Sequence, residues 1–157
     1  MHPYLLPVLE LTPKTLERLI SQVPEKRYDE LTDPNRFTLR QAVAHLADWE
    51  PIFLQRIQAG VDKPGAEVFG MDESQRSVDK NYDSWDIKES LRTFAERRAQ
   101  TVRYLQGLTA EQWQTTVRHN EKGPMSAYDQ ANMLLGHDIY HLEHASQFLG
   151  EKVAGTW

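Results

Sequence analysis

The sequence predicts an all-α protein, and three observations carry that prediction. Apolar residues recur at three and four spacing in four long blocks, the period-2 alternation of half-buried strands is hardly found, and capping or breaking residues bound each block. Four helices of roughly 20 residues, each about 30 Å long, most economically make a four-helix bundle. At 157 residues the chain has the length of one domain, so residues 1–157 are read as a single helical bundle with no internal repeat.

The first block runs from about Tyr4 to Val23, with Leu5, Leu9, Leu16, Leu19, Ile20 and Val23 inward and Pro24 as its stop. Thr12 followed by Pro13 makes an N-cap with proline at the first helical position, so the regular helix is expected to begin near Thr12. The second block opens on a capping box, Thr38 with Gln41, and ends near Gly60. Leu39, Ala42, Leu46, Trp49, Phe53 and Ile57 fall on one stripe of this helix. Pro51 lies inside it and cannot donate to the Ala47 carbonyl, which predicts a bend. Residues 61–83 lack periodicity and are expected to form a long connection, which in a compact domain is functional or mobile.

The third block starts near Ser84 to Asp86 and runs through Ile87, Leu91, Phe94, Ala95, Val102 and Leu105 to Gly107. Glu96, Arg97, Arg98 and Arg103 are expected on its solvated face. A short extra helix follows, capped by Thr109 and Gln112 and containing Trp113, then a turn at Lys122-Gly123-Pro124. Ser126 caps the fourth block, which runs to Gly150. The long connection between helices two and three permits a crossover in place of simple up-and-down order.

Composition narrows the chemistry. With 18 Lys and Arg against 23 Asp and Glu, the formal charge of −5 argues against a nucleic-acid partner. The absence of cysteine excludes disulfides, thiolate nucleophiles and Cys-ligated zinc. No apolar window reaches the length of a membrane span and no export signal is evident, so a soluble, cytoplasmic protein is expected. Six histidines then stand out, because imidazole is both a metal ligand and a base near neutral pH.

On the fourth helix His137, His141 and His144 share one face, together with Met133, Leu134 and Phe148, and that face is the apolar one. Three imidazoles lined up in a core need partners for their ring nitrogens. Histidines at i and i+4 can direct nitrogens at one ion, which makes the pair His137 with His141, or His141 with His144. A third ligand must come from another helix, and His45, at the edge of the second helix's buried stripe, is the candidate. His2 and His119 lack such context and are expected at the surface.

Several short motifs occur in order: Pro34-Asn35-Arg36-Phe37-Thr38-Leu39-Arg40-Gln41, His45-Leu46-Ala47-Asp48-Trp49-Glu50, Gly123-Pro124-Met125-Ser126, and His137-Asp138 with Tyr140, His141, His144 and Gln147. Together they resemble the DinB/YfiT-like superfamily over nearly the whole chain. The resemblance implies a four-helix bundle holding a divalent metal, typically nickel or zinc, on His45, His137 and His141, and a homodimer. It also implies either a transferase working with a low-molecular-weight thiol such as bacillithiol or mycothiol, or a metal-dependent hydrolase. In relatives the position of His144 often holds another residue, so it is open whether it supports a ligand, replaces one or packs in the core.

A three-histidine site leaves coordination positions open, as catalytic sites do. Asp48 and Asp138 are candidate acceptors for imidazole N–H groups, and Asp48 is also a candidate general base, although carboxylates on a helix more often are simply solvated. The same residues fit two other uses, a non-catalytic stress-related metal-binding bundle and a protein-interaction module with the histidines as packing. A small-molecule substrate, with no nucleic acid and no membrane, is the expected partner.

Overall fold

The computed structural model describes residues 2–150; Met1 and residues 151–157, the ends of the span read as one domain, lie outside the described residues. In chain order the elements are α1 (Leu5–Ile20), α2 (Leu39–Asp62), β1 (Ala66–Val68), α3 (Glu73–Asp79), α4 (Ile87–Gln106), α5 (Ala110–Trp113), β2 (Thr116–His119), β3 (Gly123–Ser126) and α6 (Ala127–Ser146). The long helices α1, α2, α4 and α6 form a four-helix bundle. Both α1 and α2 pack against α4 and α6, so α1 faces α2, and α4 faces α6, across the diagonal. The chain therefore crosses an end of the bundle after α1 and again after α4.

The first helix begins seven residues before Thr12. Pro7 falls in its first turn, where no N–H is needed, and burial of Leu5, Leu6 and Leu9 against Trp49, Phe53 and Leu134 pulls that turn into the bundle. Pro13 and Pro51 lie inside helices, and each leaves a carbonyl without its helical donor. Consecutive arginines of α4 supply the replacements. Arg98 Nη1 donates to Leu9 O at 3.1 Å, and Arg97 Nη1 donates to Ala47 O at 2.6 Å. The prolines and this arginine pair form one packing device between α4 and its two neighbours.

Arg98 is not on a solvated face: it is 1 % exposed. It sits four residues after Phe94 and four before Val102, on the helix's apolar stripe. Its guanidinium clamps Glu50 of α2 at 2.8 and 2.7 Å and Asp138 of α6 through Nη1 and, at 2.9 Å, Nη2. Thr12 of α1 accepts from Arg98 at 2.7 Å and donates to Asp138 at 2.6 Å. One residue from each bundle helix thus meets at a fully hydrogen-bonded polar waist. On α1, α4 and α6 that residue separates two apolar clusters, one around Leu9, Trp49, Phe53, Leu105 and Leu134, the other around Leu16, Leu39, Val43, Phe94 and Phe148, and on α2 Glu50 lies next to their border between Ala47 and Trp49.

Residues 61–83 are ordered and not a bare loop. They complete α2, form β1 and α3, whose Asp72 N-cap accepts from Gln75 N–H, and enter a short 3-10 helix over Tyr82–Ser84. β1 pairs in parallel with β2, and β2 pairs antiparallel with β3, with Gly123 at φ +75° opening β3. Strands of three or four residues are too short to show an alternation in sequence, yet they fix what lies beside the bundle. This segment wraps α2, which is why α2 is buried all round from Ala42 to Glu50 and not along one stripe alone.

Candidate metal centre

The waist of the bundle also carries the histidines. His45 projects from α2 and His137 and His141 from α6, one turn apart, and one nitrogen of each lies within 4.8 Å of the others. The Nε2 atoms of His45 and His137 are 2.8 Å apart. Phe37 and Trp49 pack on the His45 ring, Phe53 on His137 and Tyr140 on His141, so the cluster has an aromatic collar. His45 is 0 % and His141 5 % exposed. The Nδ1 atom of all three rings is buried with no hydrogen-bond partner among the described residues.

Burial is the main electrostatic influence. It pushes the His45 imidazole down to about 2, helped by His137 and Arg76. His137 falls to about 4, through burial and then Arg98, with Glu50 opposing. His141 lies well below its ordinary value through burial and the neighbouring imidazoles. All three rings are therefore neutral at pH 7, the state in which imidazole binds a metal.

The residues fit a divalent ion. Two neutral rings facing each other through Nε2 share one proton at most, and a third ring nitrogen converges on the same space. A cation satisfies all three lone pairs together. At Zn–N distances of about 2.0–2.1 Å, tetrahedral ligand nitrogens stand about 3.3 Å apart, which the observed cluster accommodates with small side-chain movements. A set of neutral nitrogens with no carboxylate suits zinc, nickel or another late transition metal and not magnesium or calcium.

The other sequence candidates lie elsewhere. Asp48 accepts from Arg76 Nε at 2.5 Å and from the Tyr82 hydroxyl at 2.8 Å, both on Oδ2, so it ties α2 to the α3 segment. Asp138 is neither solvated nor beside an imidazole N–H; it faces Arg98 and Thr12. His144 is buried against Phe148 with Nε2 unpartnered, outside the group of three. His2 is exposed. His119, expected at the surface, is 2 % exposed, because β2 turns Val117 and His119 inward and Arg118 outward.

Two cavities flank the cluster and share His137 and Glu73 in their walls. One, of about 450 Å³, is lined by Arg36, Phe37, Tyr140, His141 and His144. The other, of about 310 Å³, is lined by Trp49, Phe53, Arg56, His119 and Met133. Residues 70–74 contribute to both walls, so the wrapped segment roofs the site. Arg36, Arg56, Glu73 and His119 were not singled out by sequence pattern. Arg36 stood out only as part of the Pro34–Gln41 motif, and the burial of His119 shows only once β2 is paired.

The family model described as the DinB superfamily matches residues 9–145. No curated protein matches the sequence. Among solved structures the fold is similar to YfiT from Bacillus subtilis, a probable metal-dependent hydrolase with an unusual four-helix bundle topology. The TM-score is 0.86 at 22 % identity, covering 92 % of this chain and 83 % of that one. At that identity the likeness is one of fold.

Proposed function

The chain belongs to the DinB superfamily, and on that premise we propose that it is a metal-dependent enzyme acting on a small molecule. His45, His137 and His141 hold one divalent ion, zinc or nickel. The observation that carries this reading is the convergence of three neutral imidazoles, two buried and His137 half-buried, between two cavities. When bound, such an ion supplies a Lewis acid with at least one coordination position not filled by protein.

The chain's own residues set the conditions for that chemistry. Burial keeps the three rings deprotonated, and Phe37, Trp49, Phe53 and Tyr140 pack against them. The Asp48–Arg76–Tyr82 contacts hold the roof of the cavities in place. Two reactions fit: hydrolysis, or transfer of a low-molecular-weight thiol. In the second case the sulfur comes with a cosubstrate, since the chain has no cysteine. A non-catalytic, purely structural ion is the weaker reading, because two apolar clusters and the Arg98 network hold the bundle without it.

A homodimer and a cytoplasmic location belong to the same proposal, and the charge of −5 supports small-molecule over nucleic-acid partners. No helix of the described residues is long and apolar enough to cross a membrane.

Elemental analysis of untagged protein, before and after soaking in zinc or nickel, is the test. The expected result is about one ion per chain, lost in His45→Ala and in His141→Ala. No metal in either preparation refutes the proposal. Loaded protein is then assayed on a panel of esters and for conjugation of glutathione, bacillithiol and mycothiol, which separates hydrolysis from thiol transfer.

A further inference from the structure

The smaller cavity contains two hydrogen-bond donors that the proposed function does not use. Trp49 and His119 both line it, at 4 % and 2 % exposure. Trp49 Nε1 and His119 Nε2 are each buried without a hydrogen-bond partner among the described residues. Indole nitrogen is a donor only. His119 Nδ1 accepts the Glu121 backbone N–H at 3.2 Å, so the proton of the neutral ring sits on Nε2, and that atom is a donor too.

Burying one N–H without an acceptor is costly, and two such groups in one cavity call for a shared explanation. Both stand on fixed supports. Trp49 is packed in α2 between His45 and Phe53, and His119 is held in β2, which is paired on both sides. Arg56 lies over the Trp49 ring at 5.7 Å and lines the same space. Lys122, Glu73 and Glu121 also reach the wall, two acids against two bases, so the lining side chains do not by themselves make a strong anion field. Selectivity comes from the two unpartnered N–H donors with Arg56. Phe53, Met71 and Met133 make the remaining wall apolar.

We propose that this cavity is a binding site for a small carboxylate with an apolar body, its oxygens held by Trp49 Nε1–H, His119 Nε2–H and Arg56. The site reaches His137, so a ligand anchored there extends to the histidine cluster. The inference rests on the proposed function only for what happens at that far end; the carboxylate contacts do not involve the ion.

Calorimetric titration of the full chain with benzoate, hexanoate and the neutral hexanamide tests it, on chelator-treated and on zinc-loaded protein. Benzoate and hexanoate should bind both forms, and hexanamide about tenfold more weakly or worse. Trp49→Phe and His119→Phe should each weaken carboxylate binding about tenfold, and His119→Gln, which keeps an N–H near the Nε2 position, should restore most of the loss. Circular dichroism checks the fold of each variant, and if Trp49→Phe does not fold, the His119→Phe and His119→Gln pair decides. The proposal is overturned by no carboxylate binding, by binding indifferent to the His119 substitutions, or by binding confined to the zinc-loaded form, which would mean coordination to the ion alone. Zinc stoichiometry on the same samples separates the two ideas: zinc bound with the carboxylate arms failing sinks this inference alone, and the converse sinks the metal site alone.

Discussion

Acidifying the metal-free protein should unfold it, and the cost can be worked out group by group. Burial holds His45 at about 2, His137 and His144 at about 4, and His141 well below its ordinary value of 6.5. In the unfolded chain each returns to about 6.5. Between those values the unfolded state binds more protons than the folded one, so stability falls as pH drops below about 6.5 and keeps falling until the folded values are reached. At pH 5 a ring held at about 4 or below costs about 2 kcal/mol, so His45 and His137 together cost about 4 kcal/mol, and His141 and His144 add to it in the same direction. That is comparable with the total stability of a domain, about 5–15 kcal/mol. Urea unfolding of chelated protein, followed by far-UV circular dichroism at pH 8, 6.5 and 5, should show a nearly constant midpoint down to 6.5 and a steep loss below it. The same neutrality fixes the pH dependence of metal binding. A site of three ordinary histidines loses about 30-fold in affinity from pH 7 to 6, whereas rings already deprotonated by burial lose little. A midpoint that stays flat to pH 5, or a zinc affinity that falls about 30-fold between pH 7 and 6, refutes the reasoning.

Three further outcomes are expected. Arg98→Met leaves Glu50 and Asp138 buried without their cation and should cost at least about 3–5 kcal/mol in urea unfolding at pH 7; a loss under about 1 kcal/mol contradicts the network. Arg97→Ala orphans the Ala47 carbonyl at a cost of about 1–3 kcal/mol, and adding Pro51→Ala, which restores the helical donor, should recover much of it, whereas additive losses would show that the arginine does not serve that carbonyl. Asp48→Asn should keep one metal per chain but speed proteolytic cleavage within 70–80, because the Arg76 and Tyr82 contacts weaken; unchanged cleavage means that Asp48 does not anchor the roof.

What sequence made legible was whatever repeats along a helix. Four amphipathic blocks, the Thr38–Gln41 and Thr109–Gln112 capping boxes and the Ser126 cap were all readable, because each is a local rule obeyed locally. His137 and His141 were readable as a pair for the same reason, and His45, a candidate from its place at the edge of the second helix's buried stripe, stands beside them in the structure. Arg98 was misread because a charged side chain suggests water, although its position four residues from Phe94 and from Val102 places it on the buried stripe. His119 and the 61–83 segment were misread because their burial depends on strand pairing across the chain, Val68 with His119, which no local window contains. The start of α1 was placed late because two prolines argue against a helix locally, and it is partners from α4 and burial of Leu5 and Leu9 that override them.

The polar waist and the histidine cluster share helices, and that sharing explains why a buried ion network is present at all. Net stabilisation by buried ion pairs is small, since desolvation offsets most of the Coulomb gain; apolar replacements of similar volume are often as stable. Rotation of the helices is another matter. Asp138 follows His137 directly, so the two project about 100° apart on α6, and Glu50 stands five residues after His45, about 140° around α2. Arg98 grips Asp138 and Glu50 each through two N–H groups, which fixes both helices about their own axes. Those rotations are the ones that turn His137, His141 and His45 toward one point. The network therefore acts on the uniqueness of the packing more than on its depth. The combined variant Glu50→Gln, Arg98→Met and Asp138→Asn carries no stranded charge and should recover most of the stability lost by Arg98→Met alone, yet bind zinc at least tenfold more weakly than the unsubstituted chain. If zinc affinity returns with stability, the waist has no part in aligning the histidines.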